Sequence, residues 1–292
     1  MSLRAGLCLA ALMVAGFEAG CGRIGAHAQG PSPAGPERNT GHAAGGAYLH
    51  DFRVPKTVNE EGMPEGMWVS DYDFANDFAN VHWLPQNISF DREGMRITVK
   101  RERRGGATNT SGEIQVSGFY GYGRYEVVMR AARGSGLDTA FFLHTYNGLD
   151  SDPHDEIDFE FVGKQPGQVQ LNYFRAGRPY GSFGVDLGYD ASAEIHLYAF
   201  EWTPESIRWY VDGRLLAEKV RPPELQIPFT TQRPIMNLLP GGPGMQDWVG
   251  EPTFESGASA LYVCTSHVPL GETGRQCSDL PDRAGAPPQA PR

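Results

Sequence analysis

The chain has 292 residues and carries 35 acidic against 25 basic side chains, a formal net charge of −10. That balance speaks against a nucleic-acid partner, because binding phosphates needs clustered Lys and Arg, and the short run Lys100 to Arg104 reads as a solvated strand end. With 37 Gly and 22 Pro, breakers are too frequent for long helices, and the composition points to many short strands.

At the N-terminus Arg4 precedes an apolar run ending near Phe17, too short to span a bilayer and of the length of a secretory signal. Ala26-His27-Ala28 fits a cleavage site. Residues 1–28 are therefore expected to be a signal peptide, and the mature protein secreted or periplasmic. Lipidation at Cys21 is the alternative, although Glu18 matches that motif poorly. Residues 29–50, rich in Gly and Pro, read as a disordered linker, 51–269 as one folded domain and 270–292 as a Pro-rich tail.

Within the domain period-two patterns recur and helical ones do not. Met95 to Lys100, Tyr125 to Arg130, Gln168 to Asn172 and Leu197 to Trp202 read as strands bounded by turn residues. Ile207 to Val211 and Arg214 to Glu218 flank Asp212-Gly213, a dipeptide suited to a two-residue hairpin that needs positive φ. No propeller or solenoid repeat is visible, so the fold class is all-β, a sandwich or barrel around one core. Signal cleavage would leave Cys264 and Cys277, which could form a disulfide in an oxidising compartment.

The segment His154 to Gly163 alternates strictly. Glu156, Asp158 and Glu160 point to one face of a strand, and Ile157, Phe159 and Phe161 to the other. Like charges along one face repel, and Asp and Glu are depleted in strands, so stability alone does not select this pattern. Glycoside hydrolysis with retention does need such carboxylates, a nucleophile and an acid about 5–5.5 Å apart. Glu156 and Glu160 suit those roles. Their Cα atoms are about 13 Å apart in an extended chain, so the side chains must lean together, while Asp158 between them separates their protonation. A calcium-binding strand is the rival reading, but the run lacks the bends and the Gly and Asn of a calcium loop.

This stretch, DEIDFEFVGK, resembles the E-x-D-x-E signature of family 16 glycoside hydrolases, a group that includes bacterial lichenases, succinoglycan-depolymerising endoglycanases and plant xyloglucan endotransglycosylases. The similarity extends in order from about Trp68 to Val268, through Ser111 to Gln115, Gly121 to Arg130, Gly134 to Phe142, Val169 to Phe174, His196 to Trp202, Ile207 to Gly213, Met236 to Leu238 and Asp247 to Gly250. It implies a concanavalin A-like jelly-roll β-sandwich of two curved antiparallel sheets with a concave substrate cleft. It also implies Glu156 as nucleophile, Glu160 as general acid/base and Asp158 as the assisting carboxylate. Glu113, Asn172 and Asn237 match residues that line the family's cleft.

Three positions depart from the lichenase pattern. His154 stands where a Trp is usual, as it does in the plant transglycosylases; Phe174 replaces a Tyr and Leu239 an aromatic residue. Sugar rings stack on aromatic faces, so these changes would redirect particular subsites, with Phe74, Trp83, Phe142 and Trp248 available to compensate. The family's structural calcium is doubtful here, because Ser266 stands where an Asp ligand is expected. No cofactor is expected to be required. The expected partner is a polysaccharide, a β-glucan or an exopolysaccharide, acted on by a monomer that hydrolyses internal β-linkages. The alternatives are a non-catalytic carbohydrate-binding sandwich and a transglycosylase acting on xyloglucan-like chains.

Overall fold

The computed structural model describes residues 44–54, 64–145, 154–181, 183–220 and 227–281. The expected signal peptide, Cys21, most of the expected linker and the end of the tail lie outside the described residues.

Nineteen strands run through the described residues. The first seven are β1 (Tyr48–Asp51), β2 (Met67–Val69), β3 (Tyr72–Ala75), β4 (Asn80–Trp83), β5 (Ile88–Phe90), β6 (Met95–Thr98) and β7 (Thr110–Ser111). The middle of the chain supplies β8 (Glu113–Val116), β9 (Gly123–Arg130), β10 (Leu137–His144), β11 (Glu156–Val162) and β12 (Gln168–Arg175). Then come β13 (Arg178–Pro179), β14 (Phe183–Asp186), β15 (His196–Trp202), β16 (Ser206–Val211), β17 (Arg214–Val220), β18 (Arg233–Pro240) and β19 (Ser259–Pro269). Each strand expected from the alternation falls on one of these. The β16–β17 hairpin turns at Asp212 and Gly213, whose φ values of 47° and 81° are the left-handed conformations that Asp-Gly supplies at low cost.

Two eight-stranded sheets form a jelly-roll sandwich. One runs β17-β16-β15-β9-β19-β6-β5 with β1 also on β19, and the other runs β13-β12-β11-β10-β18-β8-β2 with β14 also on β12. All of these pairings are antiparallel. The core between the sheets takes every second residue of each central strand: Phe141, Ile157, Phe159, Phe161, Leu171 and Tyr173 from one side meet Tyr125, Tyr198, Phe200, Trp202, Trp209 and Tyr262 from the other. A small sheet of order β3-β4-β7 packs Ala79, Val81 and Trp83 against Leu239 of β18.

Two buried polar tips fasten the core to the second sheet. The Trp209 indole N–H donates to the Asp158 carbonyl (3.1 Å), and the Tyr262 hydroxyl lies 2.8 Å from the Ala140 carbonyl and 2.9 Å from that of Asn237. A buried indole or phenol needs such a partner, so these contacts also fix the backbones of β10, β11 and β18. Gly163 ends β11 where a side chain has no room, since a Cβ there would lie 2.3 Å from the Gly134 carbonyl oxygen.

The folded unit is wider than the expected 51–269. β1 pairs with β19 beyond a bulge between Tyr262 and Cys264, and Gly45 donates its N–H to the Phe119 carbonyl (2.6 Å), so the residues just before Asp51 are part of the sandwich. After Pro269 the chain returns over β9 and β19. Cys277 forms a disulfide with Cys264 (Cα–Cα 5.8 Å) and donates its N–H to Ser266 Oγ (3.0 Å), while the Ser278 N–H reaches the buried Glu126 carboxylate (2.8 Å). These contacts give partners to the Ser266 hydroxyl and the Glu126 carboxylate on the outer faces of β19 and β9 and to the backbone N–H groups of Cys277 and Ser278.

A 13-residue separation closed by a disulfide restricts the unfolded chain by about 3 kcal/mol on the loop-entropy model. Cys277→Ser, or reduction of the native protein, is expected to lower unfolding stability by about that amount. Calorimetry with and without reductant measures the difference; an unchanged Tm would mean that packing alone holds the segment.

Candidate active site

The outer face of the second sheet carries the polar residues singled out in the sequence. On β11, Ile157, Phe159 and Phe161 are committed to the core, which turns Glu156, Asp158 and Glu160 outward together. Cross-strand register places His144 and Phe174 beside Glu156, Phe142 and Asn172 beside Asp158, and Ala140 and Gln170 beside Glu160. The last row continues through Asn237 of β18 to Glu113 of β8. Five adjacent strands thus contribute to one polar surface.

The two ends of the carboxylate row have different surroundings. Glu156 accepts a 2.6 Å hydrogen bond from His154 Nε2 and another from Asp158. Burial alone would raise its pKa, but these bonds and the nearby imidazoles of His144 and His154 bring it below the usual carboxylate value. The same contact raises His154 despite partial burial, which favours an ion pair between the two. Burial pushes His144 down to about 4.

At the other end the charges acting on Glu160 are acidic. Burial first, and then the charges of Asp138 and Glu156, push its pKa well above the usual range, and its Oε2 has no protein hydrogen-bond partner. Asp158 is also raised well above its usual range, by burial and by both flanking glutamates, and in its protonated form it donates to Glu156. Asp138 itself is pushed up to about 7 by burial. The surroundings therefore favour the ionised form at one end of the strand face and the protonated form beyond it.

The expected binding residues divide by environment. Glu113 accepts from Ser70 Oγ (2.6 Å) and from Asn237 Nδ2 (3.2 Å), and burial raises its pKa against those bonds. Asn172 and Asn237 each keep a buried side-chain oxygen without a protein partner on this face. Phe174 stacks on His154 with ring centroids 4.8 Å apart and planes 15° from parallel. Trp248 donates its indole N–H to Gln170 (2.8 Å), next to Glu160 in register. Trp83, expected as a compensating aromatic, is instead 1% exposed and packed on Leu239 in the hydrophobic cluster under the small sheet.

Three residues escape a strand-by-strand reading. His144 and Asp138 sit on β10, and only the β10–β11 register shows that they flank the two ends of the carboxylate row. Asp155 is fully buried, paired with Arg175 (2.9 Å), and accepts the backbone N–H groups of Ala176, Phe229 and Thr230. It ties the start of β11 to two loops. Its only sequence signal is the odd position in a strand that otherwise places apolar residues inward.

The side chains at the position of the family's calcium already have partners within the chain. Ser266 Oγ is engaged by the Cys277 N–H; Glu126, its partner across β9, holds Arg124 (2.8 Å) and the Ser278 N–H. Calcium takes six to eight oxygen ligands, and this set offers a hydroxyl and a carboxylate that is already neutralised.

The family model for glycosyl hydrolases family 16 matches residues 75–256. A β-glucanase of Acetivibrio thermocellus is 37% identical over 221 residues, covering 75% of this chain; the matched region spans 64% of that relative's length. Among solved structures, the Bacillus licheniformis β-glucanase superposes with a TM-score of 0.67 at 32% identity, covering 77% of this chain and 99% of that one. A β-1,3-1,4-glucanase (lichenase) from a mouse hindgut metagenome gives the same TM-score of 0.67 at 25% identity, covering 77% and 100%.

Asp138→Asn removes a negative neighbour of Glu160 and is expected to lower the Glu160 midpoint, which nevertheless stays above that of a free glutamate because burial persists. Carboxyl carbon chemical shifts followed across a pH titration read this directly. A midpoint that does not move would rule out coupling between the two.

Proposed function

Because the chain belongs to glycosyl hydrolases family 16, we propose that it is a retaining endo-β-glucanase. The observation that carries the reading is the contrast along β11. Glu156 is held by hydrogen bonds from His154 and Asp158, whereas Glu160 on the same face keeps a buried oxygen without a hydrogen-bond partner among the described residues. Two carboxyl groups with opposed environments on one surface are what double displacement at an anomeric carbon requires.

In the first step a Glu156 oxygen attacks the anomeric carbon. The bond to the glycosidic oxygen breaks as Glu160 gives that oxygen its proton. In the second step Glu160, now ionised, takes a proton from water; the water oxygen bonds to the anomeric carbon and Glu156 leaves with its electron pair. Asp158 keeps its proton throughout. Its hydrogen bond supports Glu156 as a free carboxylate and weakens as the glycosyl ester neutralises that charge. Asn172, Asn237 and Glu113 are suited to sugar hydroxyls, and Phe174 and Trp248 to ring faces.

Endo action is supported by the width of the polar surface. Five strands from β12 to β8 span four spacings of about 4.8 Å, or about 19 Å in all. That exceeds one sugar ring and suits a chain lying across the strands. Mixed-linkage β-1,3-1,4-glucan is the substrate we place first, given the similarity to a lichenase, and a bacterial exopolysaccharide second, given His154, Phe174 and Leu239.

Glu156→Gln and Glu160→Gln are each expected to lower kcat/KM on the active glucan by roughly a thousandfold. Near-native release of reducing ends by the Glu156 variant would remove it from the nucleophile's role. Proton NMR of the first-formed product should show the β anomer, whereas an α product would exclude retention. Lichenan, laminarin, xyloglucan, carboxymethylcellulose and succinoglycan, with products sized by mass spectrometry, separate the substrates; inactivity on all five would favour a carbohydrate-binding protein.

A further inference from the structure

Next to Glu156 lies a group of side chains whose donor atoms could serve a second role, as metal ligands. His144 stands directly opposite Glu156 across the β10–β11 pair, and His154 precedes it by two residues on the same side. The two imidazole rings are 4.7 Å apart between centroids, and the Phe174 ring stacks on the far side of His154. One nitrogen from each histidine and one Glu156 oxygen all lie within 4.8 Å of one another. All three side chains are partly open to the polar surface rather than sealed in the core.

Two imidazoles and a carboxylate form a borderline-soft donor set, suited to Zn²⁺, Co²⁺ or Cu²⁺ and unsuited to calcium or magnesium. Around a tetrahedral zinc, bonds of 2.0–2.1 Å put ligand atoms about 3.4 Å apart. The existing cluster is wider than that by little more than an ångström at most, which side-chain rotation can supply. Phe174 limits the rotation of His154, and the β10–β11 register fixes the distance from His144 to Glu156. The fourth position of such a site would face the polar surface.

We propose that His144, His154 and Glu156 form a binding site for a divalent transition-metal ion, and that its occupation switches hydrolysis off. A coordinated Glu156 oxygen has given the metal the lone pair that would attack the anomeric carbon, and the ion sits where the sugar must approach. The metal also replaces the 2.6 Å hydrogen bond between His154 and Glu156. The inhibitory half of the proposal rests on the assignment of Glu156 as nucleophile; the binding half does not.

The test uses the full protein, stripped with chelator and titrated with Co²⁺ alone, with ligand-field absorption as readout, and with Zn²⁺ in a calorimeter. One equivalent is expected to bind. His144→Gln and His154→Gln should each weaken binding by at least roughly tenfold, with circular dichroism confirming that the variants fold; His154, being half-exposed, is the safer of the two. In glucan hydrolysis, Zn²⁺ should inhibit at the concentration at which it binds, and chelator should restore the rate. Absence of Co²⁺ bands and Zn²⁺ heat, or binding that neither substitution weakens, overturns the site. Binding through both histidines without inhibition overturns the overlap with the nucleophile. If the metal-free protein cleaves no glucan, the hydrolase reading fails by itself, and the Co²⁺ spectrum still decides the site.

Discussion

The apolar side of β11 is the constraint on which the site depends. Ile157, Phe159 and Phe161 are buried between the sheets, and the Trp209 indole holds the Asp158 carbonyl from the opposite sheet. Each of these side chains contributes about 1.5–3 kcal/mol by burial. Three ionised carboxylates on the reverse face would repel by up to about 4 kcal/mol per close pair at an effective dielectric of about 20. Moving the strand to relieve that repulsion would expose the aromatic side chains and break the indole bond. Keeping protons on Asp158 and Glu160 costs only about 1.4 kcal/mol for each unit by which a pKa is raised. Titration therefore yields where packing cannot, and the surface becomes one with both an ionised and a protonated carboxyl group.

Which group keeps its proton is decided by the neighbouring strands. β10 places His144 at the Glu156 end and Asp138 beyond Glu160, while β12 brings Phe174 against His154. The potential along β11 thus runs from a basic end to an acidic one over three alternating residues. Asp155 supports this indirectly: its buried pairing with Arg175, together with the backbone groups it accepts, fixes where β11 begins and so where His154 stands. The polarity of the site comes from register and not from the carboxylates themselves.

The same distinction explains what could be read from the sequence. Alternation is local, so β6, β9, β11, β12 and β15, the Asp212-Gly213 hairpin and the direction of all three carboxylates were legible. β1 was not, because Tyr48 to Asp51 follow a Gly-rich stretch and are held as a strand by β19 beyond its bulge. Cys277 was legible as a disulfide partner, but the packing of its neighbours on Glu126 was hidden in a Pro-rich tail. His144 and Asp138 look like ordinary strand residues until β10 is set beside β11.

Leu239 shows how a single replacement spreads through the surface. With an aliphatic residue there, β18 offers no exposed ring at that position, and the small sheet closes over it with Ala79, Val81 and Trp83. Trp83 is buried by that contact and cannot present its face to a sugar. Near the carboxylates the rings come from β10 and β12: Phe142 stands beside Asp158 and Phe174 backs His154, while Trp248 packs on Val162 and Val249 with its indole bonded to Gln170. Toward β8 the partners are polar: Asn237, Glu113 and Ser70, joined by hydrogen bonds. Across the sheet the outer face thus passes from rings on β12 and β10 to hydrogen-bonding groups on β18 and β8. That gradient leaves the side chains around the carboxylate row free to vary while the alternation of β11 stays the same.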